Sequence, residues 1–175
     1  MFRNWRISTF NGVLLAAYFI PTWAIIAYRI MIAPVHGLYE RPSISVALFI
    51  SDHLQLASMA MVRVAWLLAL GRFTVVAFLA IFLVLTARAA IRKTGSGEEA
   101  LAIALAIGSV ISFACMWMAS QVGETAALRL HATELLMLLG AAIVLLVERP
   151  AQPLTYPGVT ADASALEQAK LAYNR

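Results

Sequence analysis

At 175 residues, of which 62% are hydrophobic and only 13% are charged, the chain is far more apolar than a soluble domain, in which about a quarter of residues are charged. This composition, with a mean hydropathy of +0.85, predicts an integral membrane protein and leaves no room for a separate soluble enzyme domain. The net charge of +4 does not indicate nucleic-acid binding, because the basic residues flank apolar segments instead of forming one basic face.

The first apolar stretch covers residues 10–33 and follows the basic residues Arg3 and Arg6. It is too long and too aromatic for a signal peptide, because Trp23 and Tyr28 interrupt it and no small-residue cleavage motif follows. We interpret it as a retained transmembrane helix that enters the membrane from the cytoplasm, since basic flanks favour that side.

Residues 44–64 are apolar but carry polar side chains at helical spacing, which predicts an amphipathic helix at the outer interface of the membrane. The residues that form this polar stripe are Ser45, Asp52, Gln55, Met59 and Arg63. The alternative is a fifth span over residues 44–70, with a tight turn at Gly71 and Arg72. Five spans would place the later basic residues outside the cell, so four spans are preferred.

Three further spans are predicted over residues 73–90, 100–120 and 131–147. The basic residues Arg88, Arg92 and Lys93 close the first of these, which predicts a cytoplasmic turn there. The predicted fold is therefore all-α: a polytopic membrane protein with a four-helix transmembrane bundle and an extra interfacial helix on its outer face. Residues 150–175 are expected to form a cytoplasmic tail with a short helix, so that both termini are cytoplasmic and the membrane is a bacterial inner membrane.

Small residues recur every four positions in the third span, a pattern that allows close approach of helices in a lipid environment. They are Ala100, Ala104, Gly108 and Ser112. This face is predicted to pack against a helix inside the bundle or against another membrane subunit. The predicted partners of the chain are therefore the lipid bilayer and other membrane subunits.

In this predicted topology all three histidines lie on the outer side of the membrane, together with acidic and sulfur-containing side chains. Imidazole, carboxylate and thioether groups at one depth could bind copper, zinc or a haem iron. The predicted metal ligands are His53, His131, Glu134, Met59 and Met116. A haem or quinone site could use His53, His131, Asp52, Trp66 and Trp117. Polar residues also collect at membrane interfaces without any ligand, and no metal-specific or haem-specific spacing is present.

No catalytic residue is predicted, because the chain has no nucleophile elbow, Walker A loop or dinucleotide-binding glycine motif. We expect a small accessory or anchor subunit of a larger inner-membrane complex, in respiratory or photosynthetic electron transfer, without catalytic activity of its own. The alternatives are a metal- or haem-binding membrane protein with an outer site, or a small membrane subunit of a transporter.

Overall fold

The computed structural model describes residues 7–54, 57–88 and 96–148, and within these ranges every regular element is helical. The prediction of an all-helical chain with four long apolar helices is confirmed, because four helices have the length and composition needed to cross a membrane. The α-helices are α1 (Ile7–Ile32), α2 (Pro34–Leu38), α3 (Ile44–Phe49), α4 (Ser58–Ala87), α5 (Ser96–Val122) and α6 (Thr125–Glu148), and Ile50–Leu54 forms a π-helical turn after α3.

Helix α4 begins at Ser58 and runs without interruption through Gly71 and Arg72. The predicted helix start at Phe73 is therefore wrong, and so is the turn at Gly71 and Arg72 that a fifth span would need. The reason is that Arg72 is buried among polar partners of the same chain, so its charge does not mark the end of the apolar helix.

The four long helices alternate in direction. Gly97 at the start of α5 lies beside Thr86 at the end of α4, and the backbone N–H groups of Ile7 and Ser8 donate to the carboxylate of Glu148. We call this end of the molecule the Glu148 end. At the opposite end, which we call the Gly123 end, α5 and α6 are joined by a turn in which Gly123 adopts a φ of +73°.

The main apolar core is formed by all four long helices. It contains large side chains such as Phe19, Leu79, Leu105 and Leu138. The ladder of small residues on α5 lies inside this packing, since Ala104 and Ser112 are buried and Gly108 lies against Leu138 and Val75. The chain's own helices occupy this face, so contact with another subunit, which stays a prediction, has to use a different surface.

Residues 34–54, which we call the inserted segment, fold back between the long helices at the Gly123 end. Leu38, Val46 and Ile50 are buried in a second apolar cluster with residues of α1, α4 and α5. The predicted interfacial helix over residues 44–64 is thus divided: it comprises α3, the π-helical turn, and the first residues of α4, while residues 55–56 are not described. Its position at a membrane interface stays a prediction.

Several sequence-based expectations lie outside the described residues. They concern Arg92, Lys93 and the tail over residues 150–175 with its short helix. The orientation that the basic turn and the tail predict stays a prediction.

Candidate functional site: a buried polar cluster

His131 and Glu134 lie one helical turn apart on the inner face of α6, and their side chains are in contact. The distance between His131 Nδ1 and Glu134 Oε2 is 2.9 Å. Both residues are almost fully enclosed, at 1% and 4% exposed. A spacing of three residues on a helix brings two side chains to the same face, so the sequence of α6 itself creates this pair.

The other carboxylate oxygen of Glu134 accepts a hydrogen bond from α1. Trp23 donates its indole N–H to Glu134 Oε1 at 3.1 Å, across the interior of the molecule. The indole ring is held by an edge-to-face contact with Phe19, whose ring centroid is 5.1 Å away. Both oxygens of Glu134 are therefore engaged by fixed, buried partners.

The second ring nitrogen of His131 contacts the inserted segment. His131 Nε2 lies 3.1 Å from the backbone carbonyl oxygen of Pro42. A carbonyl oxygen can only accept a hydrogen bond, so Nε2 must carry a hydrogen atom. This contact also satisfies a carbonyl group of non-helical backbone that would otherwise be costly to bury.

The proton count of the His131–Glu134 pair follows from these contacts. Because Nε2 already carries a hydrogen, Nδ1 of a neutral imidazole has only a lone pair to offer, and an ionised carboxylate is also only an acceptor. A distance of 2.9 Å between two bare lone pairs would be repulsive, so one proton lies between Nδ1 and Oε2. The pair is either imidazolium with carboxylate or imidazole with carboxylic acid, and both forms are neutral as a unit.

Arg72 is the third ionisable group of the cluster and lies near the middle of α4 at 2% exposure. Its Nη1 donates to the hydroxyl of Ser43 at 3.2 Å, and its guanidinium carbon lies 5.8 Å from the centre of the Trp23 ring. Its Nε has no hydrogen-bond partner in the described protein. We refer to Trp23, Ser43, Arg72, His131, Glu134 and the Pro42 carbonyl group as the buried polar cluster.

The cluster joins three long helices to the inserted segment. Trp23 belongs to α1, Arg72 to α4, and His131 and Glu134 to α6, while Pro42 and Ser43 precede α3. Ionisable side chains inside an apolar helix assembly are costly unless they are paired, and they often mark a proton or ion pathway. The arrangement can therefore do two things: fix the inserted segment in place, and hold one transferable proton.

The structure brings only part of the predicted metal and cofactor set together. His53 and Asp52 lie exposed on the π-helical turn, and Met59 is 71% exposed at the start of α4. Within the described residues, no group of three or more His, Cys, Asp or Glu side chains could hold a metal ion. To bind a metal ion, His131 and Glu134 would have to give up their hydrogen bonds to each other, to Trp23 and to Pro42. The remaining predicted ligand, Met116, is half-buried on α5.

The aromatic residues of the predicted set lie at two other places. His53 stacks on Phe49 with ring centroids 4.8 Å apart, and Phe49 also contacts Trp117 at 5.4 Å. Trp66 lies in an apolar groove on the outside of α4. Each of these belongs to a surface feature, and none is a member of the buried polar cluster.

Sequence reasoning missed four of the six members of the cluster, namely Trp23, Ser43, Arg72 and the Pro42 carbonyl group. Trp23 served only as an argument against a signal peptide, and Arg72 was placed just before the span predicted to begin at residue 73. Instead Trp23 and Arg72 are buried, and Arg29 forms an ion pair with Glu40 at 3.1 Å. A usable signal was present, because Arg72 lies in the middle of an apolar stretch long enough to form one helix.

Comparison of this chain with known protein families, with curated proteins and with solved structures gives no match. The buried polar cluster is accordingly interpreted from its geometry and chemistry alone.

Proposed function

We propose that the chain is an integral membrane protein whose four long helices form a transmembrane bundle. The Glu148 end faces the cytoplasm of a bacterial inner membrane in this proposal, with both termini and the turn after α4 on that side. Support comes from the apolar length of each helix and from the basic residues that follow α4, which favour the cytoplasmic side.

Within that membrane, the proposed role is a small accessory subunit of a larger electron-transfer complex, to which it contributes a proton-binding site. The observation that carries this proposal is the buried His131–Glu134 pair, which holds one proton between an imidazole nitrogen and a carboxylate oxygen. Chains of Asp, Glu and His inside membrane proteins are a recurrent means of proton relay. Electron transfer across a membrane complex commonly requires protons to be bound and released, so such a pair suits a subunit of this kind.

If the same pair had a purely structural role, Glu134→Gln would leave proton movement unchanged. A glutamine amide can accept from Trp23 through its oxygen and donate from its nitrogen to Nδ1 of a neutral His131, which still donates from Nε2 to Pro42. The substitution therefore preserves every hydrogen bond of the pair but removes the proton that moves between its members.

The test combines assembly and proton movement in native membranes. Wild type, Glu134→Gln and a deletion strain are compared by blue-native electrophoresis after mild solubilisation, and by substrate-driven acidification of inverted vesicles with a pH-sensitive dye. We expect wild type and Glu134→Gln to migrate in the same large complex, with acidification reduced in Glu134→Gln and in the deletion strain.

Two results would contradict this proposal. Migration of the wild-type chain as a monomer at every detergent concentration would exclude the accessory role. Wild-type acidification in Glu134→Gln would show that the pair serves only to hold the fold together. Matched amounts of protein in the membranes, measured by immunoblot, exclude a trivial loss of expression.

A second candidate role is contact with a quinone, and the stacked rings at the Gly123 end favour it. His53, Phe49 and Trp117 form a partly exposed aromatic surface that could receive a planar headgroup, with the imidazole as a hydrogen-bond partner. Quenching of Trp117 fluorescence by a short-chain quinone, lost in Phe49→Ala, would support this role. Equal quenching in both proteins would count against it.

A further inference from the structure

An apolar groove runs between α1 and α4 on the outside of the molecule at the Gly123 end. It has a volume of about 580 Å³, within the range of about 300–1,000 Å³ that is typical of ligand pockets. Its lining residues are Met31, Val62, Arg63, Trp66, Leu67 and Leu70. The groove is open to the surroundings of the protein, since Trp66, Leu67 and Leu70 are more than half exposed.

The same two helices also line a separate groove further from the Gly123 end. This second groove of about 420 Å³ is lined by Ile25 and Tyr28 of α1 and by Phe73 of α4, each about one or two turns further from the Gly123 end. From Arg63 to Phe73 the helix rises about 15 Å. That distance is about half of the 30 Å apolar thickness of a bilayer, which is the depth of one leaflet.

One positive charge stands at the outer end of this path. Arg63 lies in the second turn of α4, and it forms no ion pair or hydrogen bond with any other residue that the structure describes. Arg29, which borders the second groove, is instead occupied by Glu40. Arg63 is therefore free to bind an anionic group at the depth where lipid phosphates lie, beside Trp66, a residue type that favours this depth.

We propose that this groove binds an anionic phospholipid, with one acyl chain along α1 and α4 and the phosphate on Arg63. The site rests on the proposed membrane location but not on the proton-binding role. Basic pockets between transmembrane helices are known to select anionic headgroups, and an unpaired arginine next to a chain-length apolar groove supplies both parts of such a site.

Fluorescence quenching of Trp66 by brominated lipids tests the proposal directly. Purified protein is reconstituted in phosphatidylcholine vesicles that contain a small fraction of brominated phosphatidylglycerol or of brominated phosphatidylcholine, and Trp66→Phe identifies the Trp66 signal. We expect a relative association constant about fivefold higher for phosphatidylglycerol, the effect of one arginine near an anionic headgroup.

Matched variants separate the groove from general surface charge. Arg63→Gln should abolish the preference for phosphatidylglycerol, whereas Arg129→Gln, which removes an exposed arginine one turn into α6 at the same end, should keep it. Leu67→Phe with Leu70→Phe should weaken quenching by both lipids because the rings fill the path of the chain. Glu134→Gln should show the same preference for phosphatidylglycerol as the wild type. The lipid measurement therefore does not depend on the proton-binding role.

Three outcomes would overturn the proposal. They are equal quenching by the two brominated lipids in the wild type, an equal loss of preference in Arg63→Gln and Arg129→Gln, and unchanged quenching in the double phenylalanine variant. Failure of the protein to float with the vesicles would overturn the membrane location as well.

Discussion

Glu134 shows how a single carboxylate can organise a membrane-type core. One of its oxygens accepts a hydrogen bond from Trp23 of α1, and the other contacts His131 on its own helix, α6. His131 extends the connection to the backbone at Pro42. Each contact satisfies a polar group that would be costly to bury without a partner. The residue therefore links elements that are far apart in the sequence while keeping its own charge compensated.

His131→Ala and Glu134→Gln should differ sharply in stability. Alanine leaves the Pro42 carbonyl and one oxygen of Glu134 without partners, and we expect a loss of about 1–3 kcal/mol in the free energy of unfolding. Glutamine keeps all three hydrogen bonds, so its effect should stay within about 1 kcal/mol. Thermal unfolding of the purified proteins in detergent measures both, and an equal loss would show that charge, rather than hydrogen bonding, stabilises the pair.

Two glycines provide a second matched comparison. A Cβ atom added at Gly37 would lie 2.7 Å from the Cα atom of Ile30, so Gly37→Ala must displace α2 from α1. Overpacking of this kind costs about 1–3 kcal/mol, and we expect a lower unfolding temperature.

Gly140→Ala serves as the control for that comparison. A Cβ atom there would meet nothing within 4 Å, and alanine is favoured over glycine in a helix by up to about 1 kcal/mol. The unfolding temperature of Gly140→Ala should be unchanged or higher. An equal decrease in both variants would contradict the close approach of α2 to α1.

At this scale the sequence predicted two of the six members of the buried polar cluster. His131 and Glu134 were both among the predicted metal ligands, and their spacing of three residues places them on one face of a helix. Trp23 and Ser43 carried no local signal, because they join the cluster through contacts between elements distant in the chain. Such partners depend on how the helices pack, which single-sequence periodicity does not specify.

At the scale of the elements, the last residue of α6 caps the first turn of α1. The carboxylate of Glu148 accepts hydrogen bonds from the backbone N–H groups of Ile7 and Ser8 at 3.0 and 2.9 Å. These N–H groups belong to the first described residues of α1, and the dipole of that helix favours a negative charge beside them. The contact fixes the register of α1 against α6 at the Glu148 end.

Glu148→Gln should weaken this capping contact. A glutamine offers one acceptor instead of two and carries no charge, so we expect a loss of about 0.5–2 kcal/mol. Asp52→Asn removes a charge from an exposed residue that forms no hydrogen bond with any other described residue, and it should leave the stability unchanged. Chemical unfolding of both variants measures the difference, and a Glu148→Gln protein as stable as Asp52→Asn would exclude the cap.

Helix number was predictable but helix boundaries were not. Long apolar runs predicted four long helices, because their length and lack of charge leave few alternatives. The start of α4 was misplaced because Arg72 resembles a flanking charge when its buried partners are unknown. The inserted segment was likewise interpreted as one amphipathic helix, since its break at the π-helical turn depends on packing against the long helices.

At the scale of the whole molecule, the proposed transmembrane bundle has its Glu148 and Gly123 ends on opposite sides of the membrane. Cysteines introduced at the exposed residues Glu99 and Thr125, at the Glu148 and Gly123 ends respectively, should report this orientation. We expect a membrane-impermeant thiol reagent applied to intact cells to label Thr125→Cys and not Glu99→Cys. The native Cys115 is buried, which limits its background labelling.

The opposite labelling pattern would reverse the proposed orientation but would leave the fold unchanged. Labelling of both sites from outside would contradict a membrane-spanning arrangement altogether. Permeabilised cells, in which both variants should react, provide the control for access of the reagent.

The central claim is that the buried pair holds one proton while Nε2 of His131 donates to Pro42. Nitrogen-15 NMR of histidine-labelled protein in a membrane mimetic tests this most directly, because it reports which ring nitrogens carry a hydrogen. We expect Nε2 of His131 to be protonated in wild type and in Glu134→Gln, with the Nδ1 signal moving towards that of a neutral acceptor in the variant. A wild-type His131 with an unprotonated Nε2 would contradict the account.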